Sequence, residues 1–90
     1  MSPIVDSVER QRLLLRLKRV EGQIRAVHAM IEQDRGCDEV VQQLSACRRA
    51  IDKAFFDAVG CAVAHAAIEH DGKEPGEHLR EVAAMLVRYG

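Results

Sequence analysis

Hydrophobic residues recur along this chain at helical spacing, in two long segments and one short segment. In the first segment the intervals alternate between four and three residues: Leu13, Leu17, Val20, Ile24, Val27 and Ile31. The pattern predicts a helix that is capped by Asp6 or Ser7 and ends near Gln33. We expect Gly36 to take a positive φ as the C-terminal cap. Gly22 interrupts the pattern, which predicts a close approach to a neighbouring element.

The second segment, from Cys37 to His70, predicts one long helix with a 3.5-residue repeat. Ten side chains share one seam of this helix: Cys37, Val40, Leu44, Cys47, Ile51, Ala54, Ala58, Cys61, His65 and Ile68. A turn sequence from Asp71 to Gly76 ends it, and a short helix from Glu77 to Tyr89 follows. Because no strand pattern occurs, the sequence predicts an all-α fold of three helices in a single domain spanning residues 1–90.

The seam of the second helix is apolar in its middle and carries possible metal ligands toward both ends. At about 1.5 Å of rise per residue, Cys37 and Cys61 lie roughly 36 Å apart on a straight helix. The two thiols therefore cannot meet within one chain. Two copies packed antiparallel would set Cys37 of one chain against Cys61 and His65 of the other. The pattern therefore predicts an oligomer with a site formed between its subunits.

The three cysteines differ in their surroundings. Cys37 starts the second helix, where unpaired N–H groups and the helix dipole favour a thiolate suited to a soft metal or an electrophile. Cys47 lies between apolar seam residues, and we interpret it as part of the core. Cys61 and His65 are one helical turn apart and can reach one ion, although pairs at this spacing also arise by chance. Thiolate and imidazole ligands suit Cu(I), Zn(II) or Ni(II).

Composition narrows the class of protein. Hydrophobic residues make up 48% of the chain, yet only three residues are aromatic, a balance typical of helix bundles. The odd number of cysteines fits no disulfide framework and favours a reducing, cytoplasmic location. The most apolar run, from Ala54 to Ile68, is too short and too polar to span a membrane, and no signal peptide is expected. We interpret His28 and His78 as surface histidines.

Basic residues are concentrated although the formal net charge is only −1. From Arg10 to Arg25, six basic residues stand against a single acid, Glu21. Helical spacing arranges basic side chains in two stripes: Arg12, Arg16 and Arg19 on the first helix, and Arg49 and Lys53 on the second. Such stripes usually belong to solvated faces paired with acids, but acids are scarce here, which favours a surface that faces phosphates. Any DNA contact would be made by the flat side of a bundle.

A resemblance to a known family is carried by the segment from Arg16 to Lys53, RLKRVEGQIRAVHAMIEQDRGCDEVVQQLSACRRAIDK. It resembles the CsoR/RcnR family of small helical repressors, and EVAAMLVRY is similar to that family's ending. The family includes sensors of copper (CsoR), nickel and cobalt (RcnR), formaldehyde (FrmR) and persulfide (CstR). The resemblance implies an antiparallel dimeric four-helix bundle, paired as a dimer of dimers, that binds double-stranded operator DNA.

The resemblance also assigns roles to residues. It implies that Cys37 is the sensing thiol and that Glu81 is the acidic residue supporting the copper site. It also matches four residues to basic positions of the family: Arg16, Arg19, Arg49 and Lys53. The family's second-helix histidine, however, falls on Ala62, and the further cysteine of the copper sensors falls on Ala66. Neither alanine can bind a metal, and Cys61 and His65 each lie one residue earlier, rotated by about 100° around the helix.

These observations predict a repressor that releases operator DNA when a metal ion binds at Cys37, Cys61 and His65 between subunits. The alternative is a metal-free repressor in which persulfide or an aldehyde modifies Cys37 covalently, with Cys61 as its partner. A structural assembly without DNA would carry acids interleaved with the basic residues, and these are nearly absent. An enzyme is disfavoured because no base is fixed near Cys37.

Overall fold

The computed structural model describes residues 3–4, 6–68, 74 and 76–90. Three helices are present: α1 (Ser7–Glu32), α2 (Cys37–Ile68) and α3 (Glu77–Tyr89). The described residues contain no strand, so the predicted all-α architecture of two long helices and one short helix is confirmed. His70, to which α2 is predicted to continue, lies outside the described residues. Most of the turn predicted after it does so as well. None of the described helices combines the length and apolarity needed to cross a membrane.

Helix α1 begins at the cap that the sequence predicts, Asp6. The Asp6 side chain accepts a hydrogen bond from the backbone N–H of Glu9 at 3.0 Å, which satisfies one of the unpaired donors of the first turn. Farther along α1, no described atom outside the helix's own neighbouring backbone lies within 4 Å of the position that a Gly22 Cβ would occupy. The close approach predicted at Gly22 is therefore not made inside the subunit.

The connection between α1 and α2 differs from its prediction. Asp34, with a φ of 55°, takes the left-handed conformation, so the prediction of a positive φ at Gly36 is wrong. Aspartate tolerates this conformation because its short polar side chain can hydrogen-bond locally. Gly36 instead precedes α2, where its carbonyl accepts the hydrogen bond of the Val40 N–H at 3.1 Å.

Helices α1 and α2 form an antiparallel hairpin whose buried contact is narrow. Val20 and Val27 of α1 are seven residues apart and nearly fully buried. Cys47 and Ala54 of α2 are also seven residues apart and equally buried, which confirms the core role predicted for Cys47. A seven-residue spacing returns a side chain to the same side of a helix after two turns, so each helix contributes one row to this contact.

The other half of each heptad pattern remains exposed. Five large apolar side chains are about half exposed or more: Leu17, Ile24 and Ile31 on α1, and Leu44 and Ile51 on α2. We call these five residues the exposed apolar rows. The chain measures 57 × 27 × 13 Å and has a radius of gyration of 17.3 Å, against about 12 Å for a compact domain of this length. A layer of helices this thin cannot bury both sides of its seams within one subunit.

Helix α3 packs against α2. Val82 is the most buried residue of α3, and Ala66 of α2 is buried as well. His78 is only 7% exposed, so its interpretation as a surface histidine is wrong. It lies one turn before Val82 and thus on the same inward side of α3. His28 is exposed, as predicted, and its Nδ1 lies 2.8 Å from Glu32 Oε1.

Candidate functional site

A thiol and a carboxylate meet where the first turn of α1 crosses the last third of α2. The Cys61 Sγ donates to Glu9 Oε2 at 3.9 Å. The other oxygen of that carboxylate, Oε1, lies 3.3 Å from Arg12 Nη1. Glu9 is positioned for both contacts because Asp6 fixes the start of α1 at the Glu9 backbone. One carboxylate therefore lies between a possible metal ligand and a basic side chain.

The surroundings of Cys61 oppose its ionisation. Burial is the largest cause that raises the pKa of the Cys61 thiol above its ordinary value, followed by the charge of Glu9 and the hydrogen bond to it. Asp57 and Asp6 raise this pKa further through their negative charges. In the metal-free protein the neutral thiol is consequently favoured. A bound cation would offset these carboxylates and release the thiol proton.

His65 lies one turn beyond Cys61, and the two residues line two neighbouring cavities. The smaller cavity, of about 150 Å³, is also lined by Asp6 and Glu9. The larger, of about 270 Å³, is mostly apolar and extends to Phe55 and α3. The structure thus places the predicted pair Cys61 and His65 beside two carboxylates that sequence reasoning missed. Only the register of α1 against α2 brings these groups together, and no local motif signals it.

Cys37 lies at the opposite end of α2 and is exposed. Beside it, Arg35 donates to both carboxylate oxygens of Glu39, at 3.0 and 3.2 Å, and this pairing lowers the pKa of Glu39. Among the described residues, no group of three or more His, Cys, Asp and Glu side chains is arranged to hold a metal ion. The predicted set of Cys37, Cys61 and His65 is therefore not assembled within one subunit.

The two alanines at the family's ligand positions differ in their surroundings. Ala62 lines the larger cavity and Ala66 is buried. Glu81 lies on α3 with its Oε2 at 3.8 Å from His78 Nδ1, and it lines neither of the two cavities. The supporting role of Glu81 stays a prediction.

A basic groove runs between α1 and α2 in the middle of the hairpin. It encloses about 300 Å³ and is lined by Arg16, Arg19, Gln23, Ala46, Arg49, Ala50 and Lys53. Four of the five basic residues proposed from the sequence to contact DNA therefore share one concave surface. The antiparallel register produces this arrangement, because it sets Arg16 and Arg19 of α1 beside the α2 stripe. Clustered guanidinium and ammonium groups of this kind bind phosphate oxygens.

The basic side chains of this region differ in how they are held. Arg16 Nε is ion-paired with Asp57 Oδ2 across the two helices. Arg49 Nη1 donates to Ser45 Oγ at 2.9 Å within α2. Arg12 does not line the basic groove and is instead ion-paired with Glu9. The groove thus has one cation, Arg16, anchored between the helices and another, Arg49, held within its own helix.

Comparison with known proteins covers almost the whole chain. Residues 9–88 match the sequence model of a family described as metal-sensitive transcriptional repressor. The chain is 34% identical over 81 residues to the copper-sensing transcriptional repressor CsoR of Bacillus subtilis (strain 168), covering 86% of this chain and 80% of that protein. It is 33% identical over 76 residues to the copper-sensing transcriptional repressor RicR of Mycobacterium tuberculosis (strain ATCC 25618 / H37Rv), covering 81% and 79%. No solved structure matches the chain significantly.

Proposed function

Because this chain belongs to the CsoR/RcnR family of metal-sensitive transcriptional repressors, we propose that it binds operator DNA through the basic groove and releases it on binding a metal ion between subunits. Members of this family are transcriptional repressors and not enzymes. The observation that carries the proposal is the convergence of Arg16, Arg19, Arg49 and Lys53 on one concave surface. The same hairpin carries the Cys61–His65 pair.

DNA binding through the basic groove is supported by its charge. Four cations line it, and Asp57, the carboxylate that neutralises part of this charge, is ion-paired with Arg16. Each phosphate that a cation neutralises releases counterions, which makes the affinity fall with rising salt. In a symmetric oligomer the groove would be repeated, and several grooves would contact one duplex.

Assembly with further copies is supported by the exposed apolar rows. A second subunit that packs antiparallel would cover them and complete the seams. The same packing would bring Cys37 of the partner subunit toward Cys61 and His65. We propose a dimer with two such sites, paired into a dimer of dimers.

The effector we propose is a transition-metal ion held by Cys37 of the partner subunit, Cys61 and His65. Two thiolates and an imidazole suit Cu(I), Zn(II) or Ni(II). The two relatives are named as copper sensors, which favours a metal over the alternative of covalent modification at Cys37 with Cys61 as its partner.

Release of DNA would follow from helix packing. Helix α2 carries both the Cys61–His65 pair and two groove cations, Arg49 and Lys53. A metal ion that joins two subunits stabilises one arrangement of α2 against its neighbours, and this changes the position of α2 relative to α1. Cations on the two helices would then no longer match the spacing of the phosphates.

The proposal is tested with a labelled duplex that the reduced protein has selected from a random pool. Fluorescence anisotropy should report tight binding without metal and release upon addition of Cu(I), Zn(II) or Ni(II). Cys47→Ala is the matched control, since this thiol is buried in the subunit core. A protein that binds metal tightly and still holds the duplex would overturn the proposed function.

A further inference from the structure

We infer that Glu9 is a further metal ligand, which joins Cys61 and His65 of its own subunit and makes the site select a divalent ion such as Zn(II) over Cu(I). This inference rests on the proposed function, because it refines the ligand set of the same site. It assigns a role to a residue of α1, whereas the predicted ligands all lie on α2.

The distance between the two donor atoms supports shared ligation. Cys61 Sγ and Glu9 Oε2 are 3.9 Å apart. In a tetrahedral site with Zn–S of about 2.3 Å and Zn–O of about 2.0–2.2 Å, the sulfur and oxygen lie about 3.6 Å apart. An ion could therefore bind between the two atoms after a shift of a few tenths of an ångström. The proton that Cys61 donates to Glu9 is the one that the ion would displace.

His65 is placed to supply a third ligand by a rotation of its side chain. It lies four residues after Cys61, a spacing at which two side chains on one helix face can hold the same ion. His65 also lines the cavity of about 150 Å³ that Cys61 and Glu9 share. No three such groups converge in the described residues as they stand. Ligation therefore requires the imidazole, which already lines this cavity, to turn toward Cys61 and Glu9. Cys37 of the partner subunit would complete four-coordination.

The charges around this cavity favour a divalent ion. Asp6 lines it together with Glu9, and Asp57 acts on Cys61 from one turn away. The positive charge of Arg12 offsets part of the negative charge on Glu9. Carboxylate oxygen is a hard ligand that Zn(II) accepts in a mixed S, N and O set, whereas Cu(I) is selected by soft sulfur. A set of two thiolates, one imidazole and one carboxylate fits Zn(II) or Co(II) better than Cu(I).

The test compares metal affinities of the reduced full-length protein and two variants. Zn(II) and Co(II) affinities are measured by competition with chromophoric chelators, and Cu(I) affinity by competition with a Cu(I)-specific chelator. Glu9→Gln removes the proposed ligand with little change in size. Glu21→Gln is the matched control on α1, because Glu21 is exposed and forms its ion pairs with Lys18 and Arg25 of the same helix.

We expect Glu9→Gln to weaken Zn(II) binding by about tenfold or more, as measured for groups that support metal sites, and to leave Cu(I) binding unchanged. The absorption bands of Co(II) bound to the wild type should change in Glu9→Gln and not in Glu21→Gln. Circular dichroism of the metal-free variants checks folding. Should Glu9→Gln unfold, Glu9→Asp keeps the charge at a shorter reach and should weaken Zn(II) binding to a smaller extent.

The outcomes separate this inference from the proposed function. If Cys61→Ala and His65→Ala weaken Zn(II) binding but Glu9→Gln does not, the intersubunit site stands and the role of Glu9 is refuted. A wild type that prefers Cu(I) at the same site refutes the selectivity. If none of Cu(I), Zn(II) and Ni(II) releases the DNA duplex, the proposed function itself fails, whatever Glu9 contributes to affinity.

Discussion

Arg16 of α1 is ion-paired with Asp57 of α2, so one cation of the basic groove is anchored to the opposite helix. Asp57 lies one turn before Cys61 on the same helix. The pair therefore connects the basic groove to the segment that carries the proposed metal site. A shift of α2 along α1 must move the Arg16 guanidinium or break its pairing. This arrangement gives a physical reason for metal binding and DNA binding to influence each other.

The basic groove predicts a salt-dependent loss of DNA affinity in the variant Arg49→Ala. Removing one phosphate contact should weaken binding and reduce the slope of log affinity against log salt concentration by roughly one unit. Fluorescence anisotropy over a range of salt concentrations measures both quantities. Arg88→Ala serves as the control, since Arg88 lies on α3 beside Tyr89 and away from the groove. Equal losses in the two variants would show that the wrong surface has been identified.

Arg16→Ala should differ from Arg49→Ala in its effect on folding. The side chains of Arg16 and Asp57 are 35% and 33% exposed, and removing Arg16 leaves this carboxylate unpaired. Because solvent screens the pair, we expect a cost of about 1 kcal/mol in the free energy of unfolding. Arg49 donates to Ser45 within its own helix, so its removal should lower the free energy of unfolding by less. Urea denaturation of the metal-free proteins compares them, and equal stabilities would mean that the ion pair does not stabilise the hairpin.

The exposed apolar rows predict an obligate oligomer, and Ile51→Asp tests this. A charge placed in a covered seam is costly because it loses water without gaining a partner. Analytical ultracentrifugation at micromolar concentration should show a tetramer, or at least a dimer, for the wild type and a smaller species for the variant. Val87→Asp is the control, since Val87 is 89% exposed and lies on α3, outside these rows. A folded monomeric wild type would refute both the oligomer and the intersubunit site.

Substitutions of Cys37 and Cys47 should differ in their effect on the metal-induced release of DNA. Cys37→Ser should still bind DNA but fail to release it, because the repressing state requires no metal. Cys47→Ala removes a buried sulfur and should cost roughly 1 kcal/mol of stability while release stays intact. Anisotropy with and without metal, combined with thermal unfolding, distinguishes the two effects. Release of DNA by Cys37→Ser under the same metal concentrations would contradict the proposed sensing site.

The raised pKa of Cys61 predicts slow alkylation of this thiol in the metal-free protein. Since the thiolate is the reactive form, its fraction at pH 8 is smaller than for an ordinary cysteine, and the rate should rise steeply with pH. Glu9→Gln removes a negative charge beside the thiol, which lowers the pKa and should speed alkylation a few-fold at pH 8. Mass spectrometry of peptides after iodoacetamide treatment measures Cys61, with exposed Cys37 as the internal reference. An unchanged rate would show that Glu9 does not influence the thiol.

The sequence by itself determined the three helices and the basic face. Periodic apolar residues and the Asp6 cap are local signals. Each can be read from a short stretch of sequence, because helix formation depends on residues close together in the chain. The alignment of Arg16 with Arg19, and of Arg49 with Lys53, follows from helical geometry alone. The core position of Cys47 could also be predicted, because its seam neighbours are apolar on both sides.

Only the tertiary structure decided which half of each seam is buried inside the subunit. A heptad pattern does not distinguish Val20 and Val27 from Ile24, since all are apolar and the distinction depends on where the partner helix lies. The contact of Glu9 with Cys61 and the pairing of Arg16 with Asp57 depend on the register of α1 against α2. That register is set by side-chain packing and by the connection in which Asp34 takes the left-handed turn. Such long-range choices arise from how the two helices fit together, which no local sequence pattern encodes.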